Sequence, residues 1–218
     1  MNVIIFDTET TGKTDAVLIE AAWLRLDSIA PFITSESFNQ RYNPLKPIEL
    51  GALATHHILD EELQDCPQYT EFSLPDDIEC IIGHNVDYDW NIIGKPNMKR
   101  ICTLALSRRA WPNLDSYTQS ALFYYLSRSN AREILKNAHS ALADVKICAL
   151  ILENICKTLH ISNIDELYTM SEIARIPTHL NFGKHKGVAI TEVPKDYKTW
   201  LLNQDDVDPY LRKALENV

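Results

Sequence analysis

Apolar positions follow two rhythms along this chain, and the change from one to the other divides it. Residues 3–6 form a short β-branched apolar run closed by Asp7, which reads as a buried strand. Residues 17–26, carrying Trp23, and the more polar 35–42, carrying Phe38 and Tyr42, read as two more strands before Asn43-Pro44 and Pro47 break the pattern. Three strands therefore precede any helix. Short helices are expected over 47–55, where a proline suits the first turn, and over 59–63. Ile81-Ile82-Gly83 reads as a short buried strand, and the helical spacing over 87–93 stops at Gly94 and Pro96.

Helices are also expected over 104–110 and 117–127. The clearest helical rhythm covers 139–159, where Ala141, Val145, Cys148, Leu152, Ile155 and Leu159 recur at three- and four-residue steps, the mark of an amphipathic helix on a core. Another helix is expected over 164–174, and Pro177 marks a boundary. Beyond it come a Phe182-Gly183-Lys184-His185-Lys186-Gly187 turn and two short helical patterns. Strands first, then helices with one interleaved strand, predict an α/β domain over 1–176: a mixed sheet flanked by helices. A small C-terminal α+β appendage is expected over 177–218.

Charge narrows the function. The formal net charge is −9, which disfavours generic binding to nucleic acid, because neutralising phosphates takes clustered Lys and Arg. Any such contact must be local. The tail 177–218 balances six basic against six acidic residues, so the whole excess lies in the first 176 residues. There, Lys95, Lys99, Arg100, Arg108 and Arg109 are the most basic stretch, read either as a track for a phosphate backbone or as a solvated face. No apolar run is long enough to span a bilayer, and the first residues lack the features of a signal peptide. The five cysteines are odd in number and form no C-x-x-C pair, which suits reduced thiols and a cytoplasmic protein.

The candidate chemistry starts at Asp7-Thr8-Glu9-Thr10-Thr11-Gly12. Side chains two apart on a strand share a face, so Asp7 and Glu9 project together with Cα atoms about 6.6 Å apart. Alone, the pair fits a solvent-facing strand end as well as a metal site. Two further acid-bearing patterns follow, His84-Asn85 leading to Tyr88-Asp89, and His139-Ser140-Ala141 leading to Asp144. In this order, D-x-E-T-T-G, H-N-x-x-[FY]-D and H-x-A-x-x-D resemble the three motifs of the DEDDh family of 3′→5′ exonucleases. The Ala52 to Ile58 stretch, Cys102-Thr103, Arg108 to Pro112, the 182–187 turn and Trp200-Leu201-Leu202 extend the likeness along nearly the whole chain.

That resemblance implies a ribonuclease H-like fold and a two-metal hydrolysis of phosphodiester bonds at DNA 3′ ends, with Mg2+ as the ion, Mn2+ as a substitute, and 5′-mononucleotides as products. Asp7, Glu9 and Asp144 would hold one ion, Asp7 would bridge to the second, and Asp89 would support that second ion through water. His139 would be the general base, since imidazole exchanges protons near neutral pH. Five helical residues turn about 140°, so His139 and Asp144 do not share a helix face, and His139 belongs in the loop or first turn before the helix. Asp87 is out of register with the family acid and is expected to face solvent.

Among substrate-binding candidates, Thr10 and Lys13 follow the first motif. Asn85, with His84, is expected to orient the second-motif loop, and His56 either lines the terminal-nucleotide site or packs. Lys13 stands where many relatives have an apolar wedge, which favours phosphate contact and points to single strands over duplex ends. The 182–187 turn either contacts phosphate or is a hairpin turn with exposed lysines. The alternatives are an RNA-trimming exoribonuclease of the same superfamily and a proofreading-type accessory subunit that recognises 3′ ends.

Overall fold

The computed structural model describes residues 1–135 and 139–217. The chain forms two compact units, Met1–Ser171 and Glu172–Val218. In the first, strands β1 (Val3–Thr10), β2 (Leu18–Ile29), β3 (Phe32–Arg41), β4 (Cys80–Gly83) and β5 (Lys99–Cys102) make one sheet in the order β3-β2-β1-β4-β5. The first three are antiparallel, whereas β4 pairs in parallel with both β1 and β5. This is the expected mixed sheet. Its central strand, β1, carries Val3, Ile4, Ile5 and Phe6, all buried, and continues past the predicted end through Glu9 to Thr10.

Two elements escape the sequence pattern. The reading of a single interleaved strand is corrected by β5, which adds a second one at the sheet edge. Only Ile101 and Cys102 of this strand are buried, too few to show alternation, and its exposed start, Lys99-Arg100, passes for a charged loop. Helix α5 (Arg128–Ile134) buries Ala131 alone and has no apolar stripe to announce it. The other helices are α1 (Leu50–His56), α2 (Asp87–Ile92), α3 (Thr103–Ala110), α4 (Gln119–Leu126), α6 (Ala141–Leu159) and α7 (Ile164–Ala174). The 59–63 segment is a 3₁₀ turn, Asp60–Leu63.

Helix α6 holds the layers together. Its stripe of Val145, Cys148, Ile151, Leu152 and Ile155 is buried against β1 and β2 on one side and α3 and α4 on another. The helix starts at Ala141, after Ser140 in extended backbone and His139 at φ 69°. Asp144 therefore lies in its first turn, while His139 stands outside it.

The second unit has its own core, Leu180, Ile190, Val193, Leu201, Leu211 and Leu215, closed by helices α8 (Lys195–Leu202) and α9 (Pro209–Glu216). Its β structure is one antiparallel bridge, His179 to Ala189. Among the described residues no helix is long and apolar enough to cross a membrane. Because Ile151 is fully buried where α6 meets the sheet, Ile151→Ala is expected to cost about 2–5 kcal/mol, read as a lower urea midpoint at unchanged slope.

Candidate active site

Strand β4 pairs with β1 only from Val3 to Ile5 and then turns away at Gly83, so one flank of β1 is open beyond that point. Gly83 permits the turn, since a Cβ there would lie 3.1 Å from the Phe6 carbonyl and 3.2 Å from Val86. Thr8, left without a β4 partner, donates its backbone N–H to Asp89 Oδ1 at 3.0 Å, and its hydroxyl donates to the same oxygen at 2.7 Å. A backbone donor freed by strand divergence thus fixes the second-motif acid, as a buried N–H requires a partner. Asp89 is 4% exposed.

Asp7 and Glu9, both partly buried, meet Asp144 from α6. One oxygen from each of the three lies within 4.8 Å of the other two. Around a single Mg2+-sized ion, ligand oxygens at about 2.1 Å would be at most about 4.2 Å apart. Small side-chain rotations would therefore bring all three into contact with one ion. The donor set also fits chemically, being all carboxylate oxygen, the ligand type that Mg2+, Mn2+ and Ca2+ take.

Electrostatics give the same answer. Burial raises Asp7 well above the ordinary carboxylate range, and Asp89, Asp144, Glu9 and Glu20 push the same way. Burial, with Asp144, Glu20 and Asp89, lifts Glu9 from 4.5 to about 8. Asp89 is raised by burial against the opposing hydrogen bonds from Thr8, and Asp144 by burial against the pull of nearby His139. Without a cation, these groups hold protons that free carboxylates release.

Glu20 is the participant that sequence reasoning missed. It lies opposite Glu9 in the β1–β2 register and is 2% exposed. Its Oε2 accepts the N–H of Ala141, the first residue of α6, at 2.8 Å, and its Oε1 faces Arg41 Nε at 3.4 Å. It anchors the end of α6 that carries Asp144 and places a further negative charge beside the cluster. The available signal was an acid inside an otherwise apolar strand pattern, Leu18-Ile19-Glu20-Ala21-Ala22.

His139 and Asp144 line an open cleft of about 670 Å³ together with Asn85, Arg108, Ser116, Thr118, Gln119 and Ser120. The His139 backbone N–H donates to Asp144 Oδ2 at 3.2 Å. His84 braces the cleft wall: its Nε2–H donates to the Tyr117 carbonyl at 2.8 Å, leaving Nδ1 to face the Thr103 hydroxyl at 3.0 Å. Burial lowers its pKa to about 4, so the ring stays neutral. Asn85, exposed at φ 70°, turns the chain into α2.

The other expected contacts divide. The Thr10 hydroxyl is buried, 2.6 Å from Tyr88 Oη and 3.1 Å from the Gly12 carbonyl, so it braces the loop after β1. The Glu49 carboxylate packs over Gly12 where a Cβ would stand, and Lys13, exposed, donates its N–H to Glu49 Oε2. His56 is buried, and its Nδ1 accepts from Ile58 N–H at 3.0 Å. Its Nε2 has no partner among the described residues, with the Thr10 carbonyl near but outside bonding geometry.

Of the basic stretch, only Arg108 lines the cleft. Asp87, its side chain half-exposed, pairs with Arg100, and Arg100 also stacks 3.8 Å from the centroid of the Trp90 ring. Arg100, on β5, is therefore held against helix α2. Lys99 lies over the Tyr168 ring.

No protein-family model matches the chain. Among curated proteins, exodeoxyribonuclease 10 of Escherichia coli, from strain K12 and strain O6:H1, is 28% identical over 219 residues, covering 98% of this chain and 96% of its own. The chain is similar to exodeoxyribonuclease 10. Among solved structures, exonuclease X in complex with 5′-overhanging duplex DNA matches with a TM-score of 0.61 and 23% identity, covering 78% of this chain and 99% of that one. A zinc-bound complex of E. coli exonuclease I with single-stranded DNA matches at 0.56 and 20% identity, covering 80% and 43%. The fold is the ribonuclease H-like exonuclease fold. The likeness to exodeoxyribonuclease 10 runs through both compact units.

Because Glu9 holds its proton more tightly when folded, its negative charge costs stability as pH rises from 4.5 through about 8. The melting temperature of the metal-free protein should therefore fall across that window, and a divalent cation should restore it at the alkaline end. Asp7→Asn should flatten the decline; a melting temperature that climbs with pH would contradict the cluster as described. Glu20→Ala should cost about 1–2 kcal/mol and speed hydrogen exchange at Ala141, whereas Glu20→Gln, which keeps an acceptor oxygen, should do less of both.

Proposed function

We propose that this protein is a metal-dependent 3′→5′ exodeoxyribonuclease that releases 5′-mononucleotides from DNA 3′ ends, acting on single strands in preference to duplex ends. The observation that carries this reading is the convergence of Asp7, Glu9 and Asp144 within 4.8 Å. Similarity to exodeoxyribonuclease 10 over 98% of the chain supports DNA as the substrate. The five thiols are free and four are buried, which suits a reducing cytoplasm.

Asp7, Glu9 and Asp144 would hold one ion, and Asp7 with Asp89 a second, magnesium by preference and manganese in its place. When bound, the ions supply positive charge that acidifies a water and stabilises the leaving 3′ oxygen. The chain's own residues do the rest. His139, exposed, lining the cleft and outside α6, takes the proton of the attacking water. The water oxygen bonds to phosphorus as the bond from phosphorus to the 3′ oxygen breaks, leaving a 5′-mononucleotide and a new 3′-hydroxyl. Arg108 and the hydroxyls of Ser116, Thr118 and Ser120 offer the strand a cation and hydrogen bonds along the cleft.

Digestion of end-labelled single-stranded DNA, duplex DNA and RNA with magnesium tests the proposal, and label position gives the direction. Asp7→Asn should abolish release of nucleotides while the fold is kept; persistent turnover would overturn the metal site. His139→Ala should keep metal binding and slow hydrolysis by about 10²- to 10⁴-fold, so near-normal rates at neutral pH would remove His139 as the base.

A further inference from the structure

The unit Glu172–Val218 exposes aromatic surface that the reaction does not use. Around the Gly183 to Gly187 turn, the backbone closes through Gly187 N–H to Leu180 O at 2.7 Å and Lys186 N–H to Gly183 O at 3.2 Å. Gly183 sits against Tyr197, whose hydroxyl would be 2.6 Å from a Cβ at that position. The turn is thus pressed onto helix α8. His185 packs edge-on to Tyr197, with centroids 4.6 Å apart, and Tyr197 leads to Trp200 at 5.3 Å. Leu201 of the same helix points into the core, while Trp200 is 52% exposed and Phe182, beside Gly183, is 42% exposed.

Charge says what such a surface suits. Residues 182–200 carry four lysines against Glu192 and Asp196, in a chain whose net charge is −9. Lys184 and Lys186 flank His185 in the turn, and Lys198 lies between Tyr197 and Trp200 in sequence. The N–H groups of Gly183, Lys184 and His185 donate to no partner among the described residues. Two exposed rings, Phe182 and Trp200, with half-buried His185 and Tyr197 and the lysines of the turn, match the two parts of an unpaired nucleotide strand, bases that stack and phosphates that need cations. A dry protein interface would instead be depleted of lysine at its centre.

We propose that Phe182, His185, Tyr197 and Trp200 form a stacking surface for unpaired bases of single-stranded DNA, with Lys184 and Lys186 on its phosphates. The choice of DNA over RNA rests on the function proposed above; the stacking itself does not. A second hold on the strand raises the local concentration of its 3′ end, so it helps long substrates and leaves the shortest ones unaffected.

The test uses the full-length protein without divalent cation and a fluorescent oligothymidylate. Trp200→Ala should weaken binding about fivefold or more, while Trp200→Phe retains most of it. Replacing Lys184 and Lys186 by Ala should lower the slope of log affinity against log salt by about 1.4, and Asp196→Asn should tighten binding. With magnesium, Trp200→Ala should raise KM for the long oligonucleotide and leave dinucleotide cleavage unchanged.

Unchanged oligothymidylate affinity in Trp200→Ala, with circular dichroism showing a folded protein, would overturn the proposal. So would a salt slope indifferent to the lysines, and tighter binding of oligouridylate would overturn the DNA assignment. If the wild-type protein cleaves nothing, the catalytic reading fails alone, because the oligothymidylate affinity of Trp200→Ala against wild type, read without divalent cation, still decides this one.

Discussion

Carboxylates at close quarters repel, and the first unit is organised around keeping several of them together. Asp7 and Glu9 come from the central strand, Asp144 from the first turn of α6, Asp89 from α2 and Glu20 from β2. Their mutual repulsion, added to burial, pushes protons onto Asp7 and Glu9. A frame that relaxed would let them separate, so every element carrying an acid is tied elsewhere. The apolar stripe of α6 fixes Asp144, the divergence of β4 from β1 fixes Asp89 through Thr8, and cross-strand register fixes Glu20 opposite Glu9. Stability of this kind is directed at a site whose natural complement is a cation.

Three of the acids are partly satisfied by the protein itself, Asp144 among them through the His139 N–H. Asp89 has one oxygen committed to Thr8, and Glu20 is shared between Arg41 and the start of α6. Asp7, Glu9 and Asp144 keep the convergent oxygens. Glu20 is thus occupied at both oxygens, whereas Asp89 keeps its second oxygen available beside Asp7, Glu9 and Asp144. That occupancy also explains why Glu20 has no place in the catalytic motifs although it lies among them in space.

The two units differ in chemistry as well as in their cores. The first is acidic and presents an open cleft lined in part by its carboxylates. The second is electrically balanced and presents rings among lysines. A strand of DNA carries both features that these surfaces would engage, a scissile phosphate at its end and stackable bases along its length.

Much of this was legible in the residues. Alternation and β-branching marked β1 to β3, and the helical period of α6 located Val145, Cys148 and Leu152 on the core. Motif spacing singled out Asp7, Glu9, Asp89, His139 and Asp144, because period two on a strand and 3.6 on a helix decide which neighbours share a face. Local rules could also place His139 ahead of the helix, where φ 69° puts it. They could not reveal β5, whose edge position leaves two buried residues, nor that Arg100 is spent on Asp87 and Trp90. Glu20 and Thr8 became part of the site only through contacts spanning 121 and 81 residues. Sequence alone singled out the groups proposed to carry the chemistry, since that selection depends on residue type and short spacing. Tertiary structure decided which groups hold them in place, since a buried donor or charge takes its partner from whatever the fold brings near.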